Sequence, residues 1–114
     1  MAVSEFGRVG GIPVHEITLR SPGGATASIL TLGAALRTLT VPLADGESRP
    51  VVLGYDGVEP YVDNPHHLGV MVGRVANRIA GGRFRLDGHT YHLPIDDAGC
   101  HPLHGGPGGF TRRH

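Results

Sequence analysis

Glycine and proline constrain this chain more than any other feature: 19 glycines and 9 prolines among 114 residues separate short apolar runs without forming tracts of their own. Proline fixes φ and removes a backbone donor, and glycine opens turn conformations closed to other residues, so a chain interrupted this often favours short strands joined by turns. No segment of about ten residues keeps a 3.6-residue apolar period with caps at both ends. Only a turn or two near Val75–Ile79 reads as helical. The expected class is all-β and mainly antiparallel, in one modest domain covering residues 1–114.

The strands can be placed. His15-Glu-Ile-Thr-Leu-Arg20 alternates with Ile17 and Leu19 on one face, the period-two pattern of a half-buried strand. Ser21-Pro-Gly-Gly24 reads as a turn, residues 25–32 and 35–41 as two further strands bent at Gly33, and Pro42 as their end. Asp45-Gly46 suits a type I′ turn with positive φ at both central positions, which makes Val51-Val-Leu53 the returning strand of a first hairpin. Residues 54–69 read as an ordered connection with Pro60 and Pro65 as breakers and with Tyr55 and Tyr61 exposed. Phe84 and Leu86 alternate with Arg83 and Arg85, and Asp87-Gly88 turns the chain into His89-Thr-Tyr-His-Leu93, a second hairpin. Residues 94–114 read as glycine-rich loop, and neither an internal repeat nor a coiled-coil pattern is present.

Ten basic and ten acidic side chains cancel, so the sequence carries no electrostatic footprint for nucleic acid or for an anionic membrane. The first ten residues lack the apolar core of a signal peptide and no later run is long enough to span a bilayer, from which a cytoplasmic protein is expected. The single cysteine, Cys100, excludes an intrachain disulfide and a multi-cysteine zinc site.

Two segments put polar groups beside glycine: Gly73-Arg-Val-Ala-Asn-Arg-Ile-Ala-Gly-Gly82 and Leu103-His-Gly-Gly-Pro-Gly-Gly-Phe110. Glycine lets a backbone approach a ligand closely, and Asn77, Arg78 and His104 offer donors and acceptors suited to hydroxyls, as on a neutral sugar. An Asn-Arg pair is more often a structural hydrogen-bonding feature, and a histidine can be acid, base, ligand or polar core residue. The residues alone leave both readings open. No phosphate-loop or dinucleotide fingerprint stands between a strand and a helix. His66, His67, His89, His92, His101 and His104 invite a metal reading, but His66 and His67 would point apart in a strand, as would His89 and His92, and standard zinc spacing is lacking. Asp96-Asp97 reads as a solvated turn, not as an acid–base pair.

Taken together these segments resemble the aldose 1-epimerase, or galactose mutarotase, family. The resemblance runs from Leu32-Gly-Ala-Ala-Leu-Arg-Thr-Leu-Thr-Val-Pro42, through Val51-Val-Leu-Gly-Tyr-Asp56 and Tyr61-Val-Asp-Asn-Pro65, to Gly73-Arg-Val-Ala-Asn-Arg-Ile-Ala-Gly-Gly-Arg-Phe84. It continues in Leu86-Asp-Gly-His-Thr-Tyr-His-Leu-Pro94, Leu103-His-Gly-Gly106 and Gly109-Phe110.

The resemblance implies the N-terminal part of a large antiparallel β-sandwich enzyme that interconverts the α and β anomers of aldohexoses such as galactose and glucose, without cofactor or metal. In the family a glutamate takes the proton of the anomeric hydroxyl and a histidine protonates the ring oxygen, which is general acid–base catalysis. Asn77 and Arg78 match the family's substrate-binding pair and His104 the histidine of its Leu-His-Gly-Gly motif, with hydrogen bonds to sugar oxygens as their expected role. His101 stands where the family commonly has asparagine. The general-acid histidine, a substrate-binding aspartate and the catalytic glutamate are expected beyond position 114, so the resemblance assigns no catalytic residue to this chain. A truncated member, inactive alone, is the leading expectation, with self-association or a complementing C-terminal chain as partners; the alternatives are a non-catalytic carbohydrate-binding module and one part of a split enzyme.

Overall fold

The computed structural model describes residues 1–95 and 102–110 of the chain. They fall into two compact units, the first ending at Met71 and the second beginning at Val72. The strands are antiparallel throughout and helix is scarce, as the sequence implies.

The first unit is a five-stranded meander: β1 (Ala2–Val9), β2 (Ile12–Arg20), β3 (Thr26–Leu30), β4 (Leu36–Pro42) and β5 (Ser48–Pro50), each paired with the next. The Ser21–Gly24 turn forms as expected. The Gly24 amide donates to the Ser21 carbonyl at 3.1 Å, and the Ala25 amide to Ser21 Oγ at 3.0 Å. Strand β1 has no clear signature in the sequence, because Gly7 interrupts its alternation and the register shifts between Glu5 and Gly7. The signal that was available is Gly10-Gly11, whose positive φ angles of 55° and 83° turn β1 into β2.

Register decides which face is covered. Glu16 pairs with Leu30 and Ser28 with Thr38, which places Val14, Leu30, Ser28 and Thr38 on one face. Val14 and Leu30 are fully buried there, in a core completed by Leu32, Ala35, Val58 and Tyr61, with Phe6, Val9 and Tyr55 packed against it. Full burial of one such aliphatic side chain contributes about 1.5–3 kcal/mol. Ser28, nearly as buried, meets its polar need by a 2.7 Å hydrogen bond with the Thr38 hydroxyl. Ile17 and Leu19 do share a face, but it is the opposite one, where Ile17 pairs with Val3 and Ile29, and Ala27 with Leu19 and Leu39. Val3 is 57% exposed and Leu19 41% on that side.

The first hairpin departs from expectation. Of Asp45 and Gly46 only Gly46 has a positive φ, 87°, and a longer connection, residues 43–47, closes through the Leu43 amide to the Glu47 carbonyl at 2.8 Å. The returning strand is therefore Ser48–Pro50, opposite Pro42–Thr40, and not Val51–Leu53. Only the Val51 amide still reaches back, to the Leu39 carbonyl at 2.8 Å. A short strand of serine, arginine and proline suits a sheet edge, where it discourages further pairing.

Residues 54–69 are ordered, as expected, but hold the helix that the sequence reading places elsewhere: α1 (Glu59–Asp63). Pro60 starts it instead of breaking it, since the first turn of a helix needs no proline N–H. Asn64, at φ 36°, ends it, and its side chain exchanges two 2.9 Å bonds with the main chain of Leu68. The helix buries Tyr61 to 3% exposure, against the expectation of an exposed ring, and Tyr55 is half-buried beside it, with ring centroids 5.0 Å apart. Arg37 joins this cluster with its guanidinium 4.8 Å from the Phe6 centroid, one bond to Glu16 Oε1 at 3.0 Å and one to the Tyr55 carbonyl at 3.1 Å.

The second unit contains the expected hairpin, β6 (Arg83–Leu86) and β7 (His89–His92), with Phe84 stacked on Tyr91 at 5.1 Å. Both turn residues have positive φ, Asp87 at 49° and Gly88 at 80°, which is the type I′ geometry that an Asp-Gly pair provides. Residues 75–79 are not helical. Asn77 has φ 61°, and Arg78 forms an antiparallel bridge with Leu103, so the short helical stretch expected near Val75–Ile79 is replaced by extended pairing.

Candidate functional site

The three residues singled out in the sequence meet within the second unit. Asn77 and His104 are joined twice: the Asn77 amide donates to His104 Nδ1 at 3.1 Å, and the His104 amide donates to the Asn77 carbonyl at 3.1 Å. Next to them the Arg78–Leu103 bridge aligns the two segments, and the Arg78 amide donates to Asn77 Oδ1 at 2.9 Å. Both Asn77 and His104 adopt left-handed backbone conformations, at φ 61° and 53°, a region in which asparagine and histidine occur more readily than most side chains.

The glycines explain how the segments come so close. A β-carbon on Gly105 would collide with the Gly73 carbonyl, and one on Gly73 would occupy the Phe110 ring. The Phe110 amide donates to the Gly73 carbonyl at 3.2 Å, and the Arg74 guanidinium lies 5.4 Å from the Phe110 centroid. The sequence reading took these glycines as permitting approach to a ligand. The structure shows them first permitting the approach of one chain segment to the other. Gly73, Arg74, Gly105 and Phe110 are thus supporting residues of the site, and the only sequence signal for them is that both motifs begin or end in glycine or aromatic positions.

Asn77 and Arg78 are exposed and His104 is half-buried. Among the described residues no carboxylate pairs with Arg78. No group of three or more His, Cys, Asp or Glu side chains gathers at metal-binding distance among the described residues. Asp96, Asp97, Cys100 and His101 lie outside the described residues. No helix is long and apolar enough to cross a membrane, again among those described.

Asn77, Arg78 and His104 are thus brought together on an antiparallel β scaffold. Comparison with known proteins gives the family. The aldose 1-epimerase family profile matches residues 15–113, and the chain belongs to that family. It is 41% identical over 103 residues to an aldose 1-epimerase of Escherichia coli K12, covering 90% of this chain and 30% of that protein. It is 42% identical over 103 residues to a galactose mutarotase of Rattus norvegicus, with 90% and 30% covered. Among solved structures, a galactose 1-epimerase from Lactobacillus acidophilus superposes with a TM-score of 0.73 at 30% identity, covering 96% of this chain and 31% of that one. The chain therefore spans about 30% of the length of the curated relatives it matches.

Proposed function

We propose that this chain carries the sugar-holding part of an aldose 1-epimerase site, with Arg78 and His104 as the residues that bind an aldohexose such as galactose or glucose and Asn77 as the residue that joins them. The observation that supports the reading is the Asn77–His104 double hydrogen bond beside Arg78, which brings three residues of two distant motifs together. Arg78 and His104 donate to sugar oxygens, with bonds that strengthen as negative charge develops on the ring oxygen during opening.

These residues bind and orient but do not move the two protons that mutarotation requires. On this reading the 114 residues taken alone do not interconvert anomers, need neither metal nor cofactor, and act in the cytoplasm. Polarimetric relaxation of freshly dissolved α-D-galactose tests the point. The expected rate is that of buffer; acceleration that disappears in an Arg78→Ala, His104→Ala variant would show that the chain holds its own acid and base.

A second reading, association with another copy or with a complementing chain, is favoured by the half-covered apolar row of Val3, Ile17, Leu19, Ile29 and Leu39 on the first unit.

A further inference from the structure

We propose that Asn77 is a positioning residue, which fixes the ring proton of His104 on Nε2 and sets the main chain of Arg78 through its backbone and its Oδ1. This rests on the sugar-site reading above and deepens it.

The Asn77 amide points its proton at His104 Nδ1 across 3.1 Å. A ring nitrogen that accepts a hydrogen bond carries no proton, so the proton of the neutral imidazole is on Nε2. The return bond, from the His104 amide to the Asn77 carbonyl, holds the two residues at two points. Flipping the ring would set a C–H against the Asn77 amide and leave that amide without its acceptor. Nδ1 is thus held against the Asn77 backbone.

Asparagine suits this position for two reasons visible in the geometry. Its φ of 61° is tolerated by asparagine and strained for a β-branched side chain, and in that conformation the amide meets the ring. Its Oδ1 accepts the next amide, that of Arg78, at 2.9 Å, which ties the arginine main chain to the same residue. Three polar groups of Asn77 therefore act through its neighbours.

The test uses the 15N-labelled 114-residue chain and two readouts. Without sugar, a scalar coupling across the N–H···N bond between the Asn77 amide and the His104 ring, assigned by its loss in His104→Ala, is expected in the unvaried chain and in Asn77→Asp. Galactose titration then separates the groups of Asn77. Asn77→Asp keeps Oδ1 and loses the NH2, and binds within about twofold of the unvaried chain; Asn77→Gly keeps the left-handed backbone but loses Oδ1, and binds on the order of fivefold more weakly. Absence of the coupling in the unvaried chain overturns the proposal. So does a loss of about tenfold or more in Asn77→Asp with the coupling intact, because the NH2 would then be the working group. If galactose does not bind at all while the coupling is present, the sugar-site reading fails and the tautomer assignment stands.

Discussion

The phenyl ring of Phe110 stands where Gly73 would carry a β-carbon, and the Phe110 amide donates to the Gly73 carbonyl at 3.2 Å. That contact, with the close approach of Gly105 to the Gly73 carbonyl, keeps the His104 segment against the Asn77 segment. Gly73→Ala is expected to force the ring out of its place at a cost of about 1–3 kcal/mol, as overpacking generally does. Faster amide exchange at residues 103–110, together with weaker galactose binding, checks this; an unchanged exchange pattern would show that the ring has room to spare.

Tyr61 gives a prediction with a pH sign. Its hydroxyl accepts the Tyr55 amide at 2.9 Å, and burial, partly offset by that bond and by Arg37, raises its pKa above the ordinary 10.0. The folded state therefore favours the neutral phenol. The associated stability is complete below the unfolded value and is lost as pH rises through the raised folded value. Urea unfolding should show a falling midpoint above pH 10.0 that is reduced in Tyr61→Phe. At neutral pH the same variant should cost about 1–3 kcal/mol, because the Tyr55 amide loses its acceptor.

Arg37 ties β2, β4 and the segment before α1 together through Glu16 and the Tyr55 carbonyl while covering the Phe6 ring. Arg37 and Glu16 side chains are only 20% and 19% exposed, so solvent screens this pair less than a surface one. Arg37→Met should destabilise the first unit by about 1.5–3 kcal/mol, the range for hydrogen bonds to charged groups. Chemical denaturation, followed by tyrosine fluorescence, measures it. A change near zero would mean that packing of the aliphatic stem is what matters.

The apolar row on the uncovered sheet face leads to a separate expectation. Ile17→Thr with Leu19→Thr keeps strand-forming side chains while removing apolar surface, and should lower the sedimentation-measured association of the 114-residue chain without changing its strand content. Unchanged association would place the contact elsewhere.

How much of this was legible in the sequence depended on whether local chemistry or long-range pairing decided the outcome. Asp87-Gly88 and Ser21–Gly24 were readable because a turn's demand for particular φ angles is met by its own residues. The β5 register was not, because a longer connection than the Asp-Gly pair suggests placed Ser48 opposite Pro42. Pro60 misled because the same ring that breaks a helix interior is welcome in its first turn. At the site, the choice of Asn77, Arg78 and His104 as candidates followed from the family motifs. Their mutual bonds could not, since residues 27 apart in sequence are joined only by the fold. The Phe110 ring against Gly73 was likewise hidden, because glycine signals that space is needed without saying what fills it.

The central claim, that Arg78 and His104 are held together to receive a sugar, is tested most directly by titrating galactose into the labelled 114-residue chain and following the Arg78 guanidinium and His104 ring signals. Saturable shifts at these two residues, lost in the Arg78→Ala, His104→Ala variant, are the predicted result. Signals that stay still at both residues, or a titration unchanged in the variant, would contradict it.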